Sequence, residues 1–300
     1  MAQNKAVLFG VGTLAVAVGA LYGLVLGGVS SPLRSEVSLG KPVGLERNLS
    51  TSELGSADGL HAVFTRIGYR LDTVAETGTV PPLFLSTVPD DLDQMAEIDA
   101  KKRVFLRLML PLVLVVNEEI AQDRHRLEAM ADGRLPQDPA WLEALAVRYR
   151  AEGANLSQLL RKVDLVPPSL ALAQAAEESG WGTSRFVREA NNLFGHTGSA
   201  VTPKGDPAGQ RMAAFTTLHE AVRAYVHNLN SHPAYEGLRR ARAAARARGE
   251  TPDGATLAAS LSRYSERGDA YVQTIRALIR GNRLDRFDHS RIDRNRLRES

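Results

Sequence analysis

The chain has 300 residues, a formal net charge of +3 and no cysteine. The missing cysteines exclude a disulfide, a thiol nucleophile and a cysteine zinc site, and so mild a charge speaks against a nucleic-acid partner. An apolar fraction of 44% is ordinary for a globular protein, and this length accommodates about two domains, or one with appendages.

From Ala6 to Val29 the chain reads AVLFGVGTLAVAVGALYGLVLGGV, 24 residues without a charge. As a helix this run would be about 36 Å long, more than the ~30 Å hydrocarbon core of a bilayer. It is also longer than the roughly 7–15 residues of a signal-peptide core. Residues 1–30 are therefore expected to form one transmembrane helix, with a cleaved signal sequence as the alternative. Gly19, Gly23 and Gly27 recur every fourth residue, a small-residue stripe against which a partner helix or a second copy could pack as a homodimer. Residues 31–58 mix Gly, Ser, Pro and charges without a period and read as a linker.

From Gly59 onward the pattern is mostly helical. A long helix is expected from about Asp93 to Ala131. Its centre, Val104 to Val116, is apolar apart from Arg107 and Pro111 and too short to span a membrane, so it reads as core, with a kink at Pro111. A second helix covers about Pro139 to Ala151. Pro167 and Pro168 suit a first helical turn, and the alanine-rich run from Ser169 to Ser179 continues that helix until Gly180 ends it. Another helix runs from about Ser184 to Asn191. Thr217-x-x-Glu220 has the form of a capping box opening an amphipathic helix with Ala221, Val222, Tyr225, Val226 and Leu229 on its apolar face. Residues 285–300 are Arg-rich and read as a solvated tail.

Glu177 and Glu178 fall in the last turn of the alanine-rich helix. A carboxylate there faces the negative end of the helix dipole, which favours its protonated form. A carboxyl that holds its proton near neutral pH can act as a general acid. Glu178 shares its face with Gln174, Ala175 and Ala171, whereas Glu177 lies about 100° round the helix.

The residues AQAAEESGWG at 173–182, followed by NNLFG at 191–195, resemble the signature of glycoside hydrolase family 73, the bacterial β-N-acetylglucosaminidases of peptidoglycan. The stretches LPLVLVVNEEI, NLNSHPAYEGLR and YSERGDAYVQTIRALIRGNRL resemble its Bax branch. The resemblance spans about Gly59 to Leu284 and implies a mostly α, lysozyme-like domain over residues 59–284, with a small β-hairpin lobe near His196 to Phe215. It implies cleavage of the GlcNAc-β-1,4-MurNAc bond of peptidoglycan glycan strands. Glu178 matches the family's acid and Tyr264 a tyrosine of its cleft. Gln174, Trp181, Asn192, Phe194 and Tyr225 are expected to bind substrate. No metal or cofactor is expected.

A two-carboxylate mechanism needs a partner for Glu178. The lobe offers only Asp206, in a Lys-Gly-Asp-Pro turn, and the next candidate is Glu220, which the capping box also claims. A substrate-assisted route, in which the sugar's own acetamide attacks, needs no second acid. Alternatives are a lytic transglycosylase and a weakly catalytic peptidoglycan-binding scaffold. The apolar start and a polymeric wall substrate together place the enzyme at the bacterial inner membrane with its catalytic domain in the periplasm.

Overall fold

The computed structural model describes residues 54–198 and 212–295. The expected membrane helix with its glycine stripe, most of the linker, and Asp206 lie outside the described residues. Among the described residues no helix is long and apolar enough to cross a membrane. The described chain is mostly helical. Its helices are α1 (Ala57–Arg66), α2 (Leu71–Thr77), α3 (Ile98–Ala131), α4 (Pro139–Arg148), α5 (Leu156–Lys162) and α6 (Pro168–Ser179). They continue as α7 (Arg185–Ala190), α8 (Leu218–Ser231), α9 (Glu236–Ala247), α10 (Gly254–Leu257) and α11 (Asp269–Gly281).

The 34 residues of α3 form the longest element, which runs through Pro111. Its centre is buried, Arg107 included. That guanidinium donates to the Tyr69 carbonyl at 3.2 Å and lies over the Phe64 ring, 4.7 Å from its centroid. Carbonyl and aromatic faces thus replace part of its hydration, though burial still pushes its pKa down to about 10.

Helix α6 is the centre of the molecule. It packs against α3, α10, α11 and the single turn Leu284–Phe287. Residues 168 to 176 are all buried, so α6 is apolar on every side, as a helix surrounded by others must be. Its alanines let those neighbours close in. At its start Gly254 leaves no room for a side chain: a Cβ there would stand 2.1 Å from Ser169 Oγ.

Three contacts from distant sequence set the N-terminal end of α6. Asn117 of α3 clamps the Val166 peptide, donating to its carbonyl at 2.8 Å and accepting from its N–H at 3.1 Å. Asp164 is 1% exposed and meets Arg242 and Arg246 of α9 and Arg124 of α3, with N–O distances of 3.2, 2.5 and 3.4 Å. Asp288, 119 residues downstream of Ser169, accepts from the Ser169 N–H at 2.7 Å and from its hydroxyl at 2.8 Å. A helix opening on two prolines has no side chain of its own to cap it, and Asp288 fills that role.

The last contact corrects the expectation of a free tail from residue 285. Phe287 is fully buried, and Arg291–Ile292 (β2) pairs in parallel with Thr79–Val80 (β1), with Thr79 opposite Arg291 and Val80 opposite Ile292. Arg286 pairs with Asp72 at 2.9 Å and Arg294 with Glu118. Leu284, Phe287 and Ile292 supply the burial that the surrounding arginines conceal in a composition count.

Candidate active site

Glu178 lies in the last turn of α6, where Gly180 caps the helix in the left-handed conformation. Gly180, Trp181 and Gly182 have φ of 57°, 60° and 80°, so three consecutive residues are left-handed. Two glycines make such a turn affordable, and Trp181 carries the strain. Ser179 holds the turn closed: its hydroxyl donates to the Ala175 carbonyl and accepts from the Gly182 N–H. Gly182 has a second constraint, since a Cβ there would lie 2.9 Å from the Phe105 ring.

Glu177 and Glu178 have different surroundings. Glu177 points outward and pairs with Arg267. Glu178 is only partly exposed and faces an aromatic wall. Phe194 stacks on Tyr225 at 3.9 Å, Tyr264 stacks on Tyr271 at 5.5 Å, and Tyr235 meets Tyr264 at 5.9 Å. Burial pushes the Glu178 carboxyl up to about 7, and the neighbouring Glu177 charge adds to this. A hydrogen bond from Tyr271 and the Arg267 charge act in the opposite direction. The expected cause was the helix dipole; the dominant one is desolvation.

Beneath the carboxyl runs a chain of hydrogen bonds. Tyr225 donates to Gln174 Oε1 at 2.8 Å, and Gln174 Nε2 donates to the Tyr271 hydroxyl at 2.9 Å. The Tyr271 hydroxyl is also the group that holds the Glu178 carboxyl down against its burial. Gly195 closes the other side with φ of 68°, and a Cβ added there would stand 3.4 Å from Glu178 Oε2. The NNLFG segment thus ends on the carboxylate of the segment before it.

The two asparagines tie the lobe down. Asn191 donates to the carbonyls of Phe215 and Thr216 at 3.1 and 3.2 Å. Asn192 donates to His196 and Ala213 at 2.7 and 3.0 Å and accepts from the His196 N–H at 2.9 Å. Of the expected hairpin, the described residues contain one antiparallel bridge, Thr197 with Met212. His196 sits between Phe194 and Phe215, its ring nitrogens buried and without a hydrogen-bond partner, and burial pushes its pKa down to about 4.

The geometry places the residues expected to contact substrate within the protein's own packing. Gln174, Asn192, Phe194 and Tyr225 are at most 2% exposed, and the polar groups of Gln174, Asn192 and Tyr225 bond to the protein itself. Trp181 packs edge-on against Phe105 with its ring 5.2 Å from Lys102 Nζ, so it braces the turn against α3. Glu220 is exposed and belongs to the capping box: its N–H donates to Thr217 Oγ1 at 3.2 Å and its carboxylate accepts from the Thr216 N–H at 2.9 Å. Tyr264 gives its hydroxyl to the Phe194 carbonyl at 3.2 Å, and it is Tyr271 that acts on the Glu178 carboxyl. Tyr264 lies ahead of α11, which begins at Asp269 after Gly268 at φ 53°.

A glucosaminidase family profile, described as mannosyl-glycoprotein endo-beta-N-acetylglucosaminidase, matches residues 153–284. Protein bax of Escherichia coli (strain K12) is 33% identical over 208 residues, which is 66% of this chain and 75% of that protein. A crystal structure of the catalytic domain of the autolysin Auto from Listeria monocytogenes aligns over 55% of this chain and 97% of that one. Its 22% identity and TM-score of 0.32 are too low to bear on the fold. With Glu178 and NNLFG meeting in space, and with a relative of this identity and coverage, the chain belongs to the glucosaminidase family, glycoside hydrolase family 73, in its Bax branch, and is a glycoside hydrolase.

Proposed function

We propose that the protein cleaves the GlcNAc-β-1,4-MurNAc bond of peptidoglycan, with Glu178 as general acid, in a lysozyme-like domain held in the periplasm by residues 6–29. The observation that carries this reading is a carboxyl at a helix end, pushed up to about 7 by burial and lying against the glycine of the second motif. Such a group keeps its proton near neutral pH and can pass it to the glycosidic oxygen as the bond breaks. The carboxylate it becomes is met by the Tyr271 hydroxyl, which favours the charged form.

Glu220 is engaged in its helix cap, which favours a substrate-assisted route over a protein nucleophile. The oxygen of the sugar's 2-acetamido group attacks the anomeric carbon while Glu178 protonates the departing oxygen. Glu178, now a carboxylate, then removes a proton from the water that opens the cyclic intermediate. The same single acid also suits a lytic transglycosylase, in which the muramyl 6-hydroxyl takes the place of water. Mass spectrometry of the products formed from purified sacculi separates the two. Reducing N-acetylglucosamine ends are expected, and anhydromuramyl ends would replace this reading with the second.

A further inference from the structure

We propose that the cavity lined by the ends of α5 and α8 and the start of α9 binds an acidic peptide, the stem peptide that the muramyl sugars of peptidoglycan carry. The choice of that peptide rests on peptidoglycan being the substrate. The cavity measures about 420 Å³, enough for a small ligand. Two of its lining cations are buried. Lys162 is 8% exposed and donates to the carbonyls of Tyr149, Arg150 and Ser231 at 3.0, 3.0 and 3.3 Å. Arg239 is 2% exposed and donates to the carbonyls of Leu229 and His232 at 3.0 and 2.8 Å, with the Glu236 carboxylate also at 2.8 Å. Carbonyl oxygens hold both groups in place, and one paired carboxylate offsets two buried charges.

Arg150 and Arg161 add two exposed cations to the lining. Among the described residues neither guanidinium has a hydrogen bond or a carboxylate partner. The positive field is felt inside: after burial, the Arg239 charge is the main cause that lowers the Lys162 pKa, and Arg150 acts in the same direction. Four cations against the two carboxylates of Glu152 and Glu236 favour a ligand with carboxylates of its own. A plain anion does not complete the site. Gln158 Oε1 is shut off from water without a hydrogen-bond partner, and Glu152 has no cation paired with it among the described residues. Both accept hydrogen bonds and so call for a donor. A peptide supplies both kinds of group, carboxylates for Arg150 and Arg161 and N–H or ammonium groups for Gln158 and Glu152. The single turn Pro233–Tyr235 connects the cavity to the active site. Pro233 lines the cavity, and the Tyr235 ring meets Tyr264 in the aromatic wall faced by Glu178. A peptide held here anchors its glycan strand beside that wall.

The decisive variant is Arg150→Asn/Arg161→Gln. Both side chains are exposed. Asparagine tolerates the left-handed backbone at residue 150, where φ is 51°, and glutamine suits a helix at residue 161. Calorimetry measures binding of the stem peptide that an amidase releases from purified sacculi. Initial rates are compared on intact sacculi and on the same glycan strands after the peptide is removed. The variant should bind the peptide roughly tenfold more weakly than wild type. Its KM on sacculi should rise by a similar factor with kcat unchanged, and its rate on peptide-free strands should equal that of wild type. Inorganic phosphate and succinate, as plain anions, should bind wild type at least about tenfold more weakly than the peptide. Wild-type peptide affinity in the variant, an equal loss of rate on both substrates, or phosphate or succinate binding as tightly as the peptide would each overturn the proposal. Peptide binding that depends on the two arginines, in a protein that cuts neither substrate, upholds the pocket and refutes the cleavage proposed above.

Discussion

Just ahead of α6, Asp164 meets three guanidiniums, whereas at the other end of the helix Glu178 has a phenol as its partner and, among the described residues, no cation paired with it. Both acids are substantially enclosed. At the first, the one carboxylate is shared by three cations, and the arrangement holds α3, α9 and the start of α6 together. At the second, desolvation is left without a matching cation, and the carboxyl answers by holding its proton. One helix thus has an end where a carboxylate sits among cations and an end where a carboxyl holds its proton. The contrast shows that burial alone does not make an acid; burial without compensation does.

The largest expected effect tests the second end. Glu178→Gln should lower kcat on sacculi by roughly 10²–10⁴-fold. The same change bears on stability. A folded-state pKa of about 7, above the ordinary carboxyl value of 4.5, means that the protonated group stabilises the fold fully below about pH 4.5. That stability is lost as pH rises through 7. The Gln variant should therefore melt higher than wild type at pH 8, by the equivalent of roughly 2 kcal/mol, and no higher at pH 4. Calorimetry at the two pH values checks this. Equal melting shifts at both would show that Glu178 is not desolvated.

Asp164→Asn should break the first end. It leaves three guanidiniums crowded without their carboxylate, two of them largely buried, and should cost about 3–5 kcal/mol in urea unfolding. A loss below about 1 kcal/mol would mean that the carbonyls around Arg242 suffice. Gly195→Ala tests the contact between the two motifs. Its left-handed backbone should cost roughly 1–2 kcal/mol, and crowding of Glu178 should depress activity beyond what the loss of folded protein explains. Asp288→Ala should cost about 1 kcal/mol as a lost helix cap, measured by thermal melting, with activity retained at temperatures where the variant is folded. Glu177→Gln should have the smallest effect. Removing its charge lowers the alkaline limb by less than about half a pH unit and leaves stability within ~0.5 kcal/mol, since the Arg267 pair is at the surface.

Local chemistry was legible in the sequence and distant chemistry was not. The prolines and Gly180 bracket α6 as expected, and the Thr217 capping box opens α8. Each of these signals is read within one turn of the chain. The partner of Glu178 is another matter. Which of two tyrosines, Tyr264 or Tyr271, reaches the carboxyl depends on where Gly268 breaks the backbone and how α11 leans on α6. Gln174, Asn192 and Tyr225 illustrate the same limit. A polar residue near a motif reads as a ligand contact until its hydrogen bonds are seen to end inside the protein. The packed residues 285–295 were obscured because a few apolar side chains among many arginines leave little periodic signal.

The cap that Asp288 places on Ser169 has a consequence for timing. The acid-bearing helix is made just past the middle of the chain, and the carboxylate that finishes its first turn is synthesised 119 residues later. Between the two come α9, with two of the three Asp164 guanidiniums, and α11 with Tyr271. A nascent chain therefore carries its acid on an uncapped helix until the last packed turn is in place.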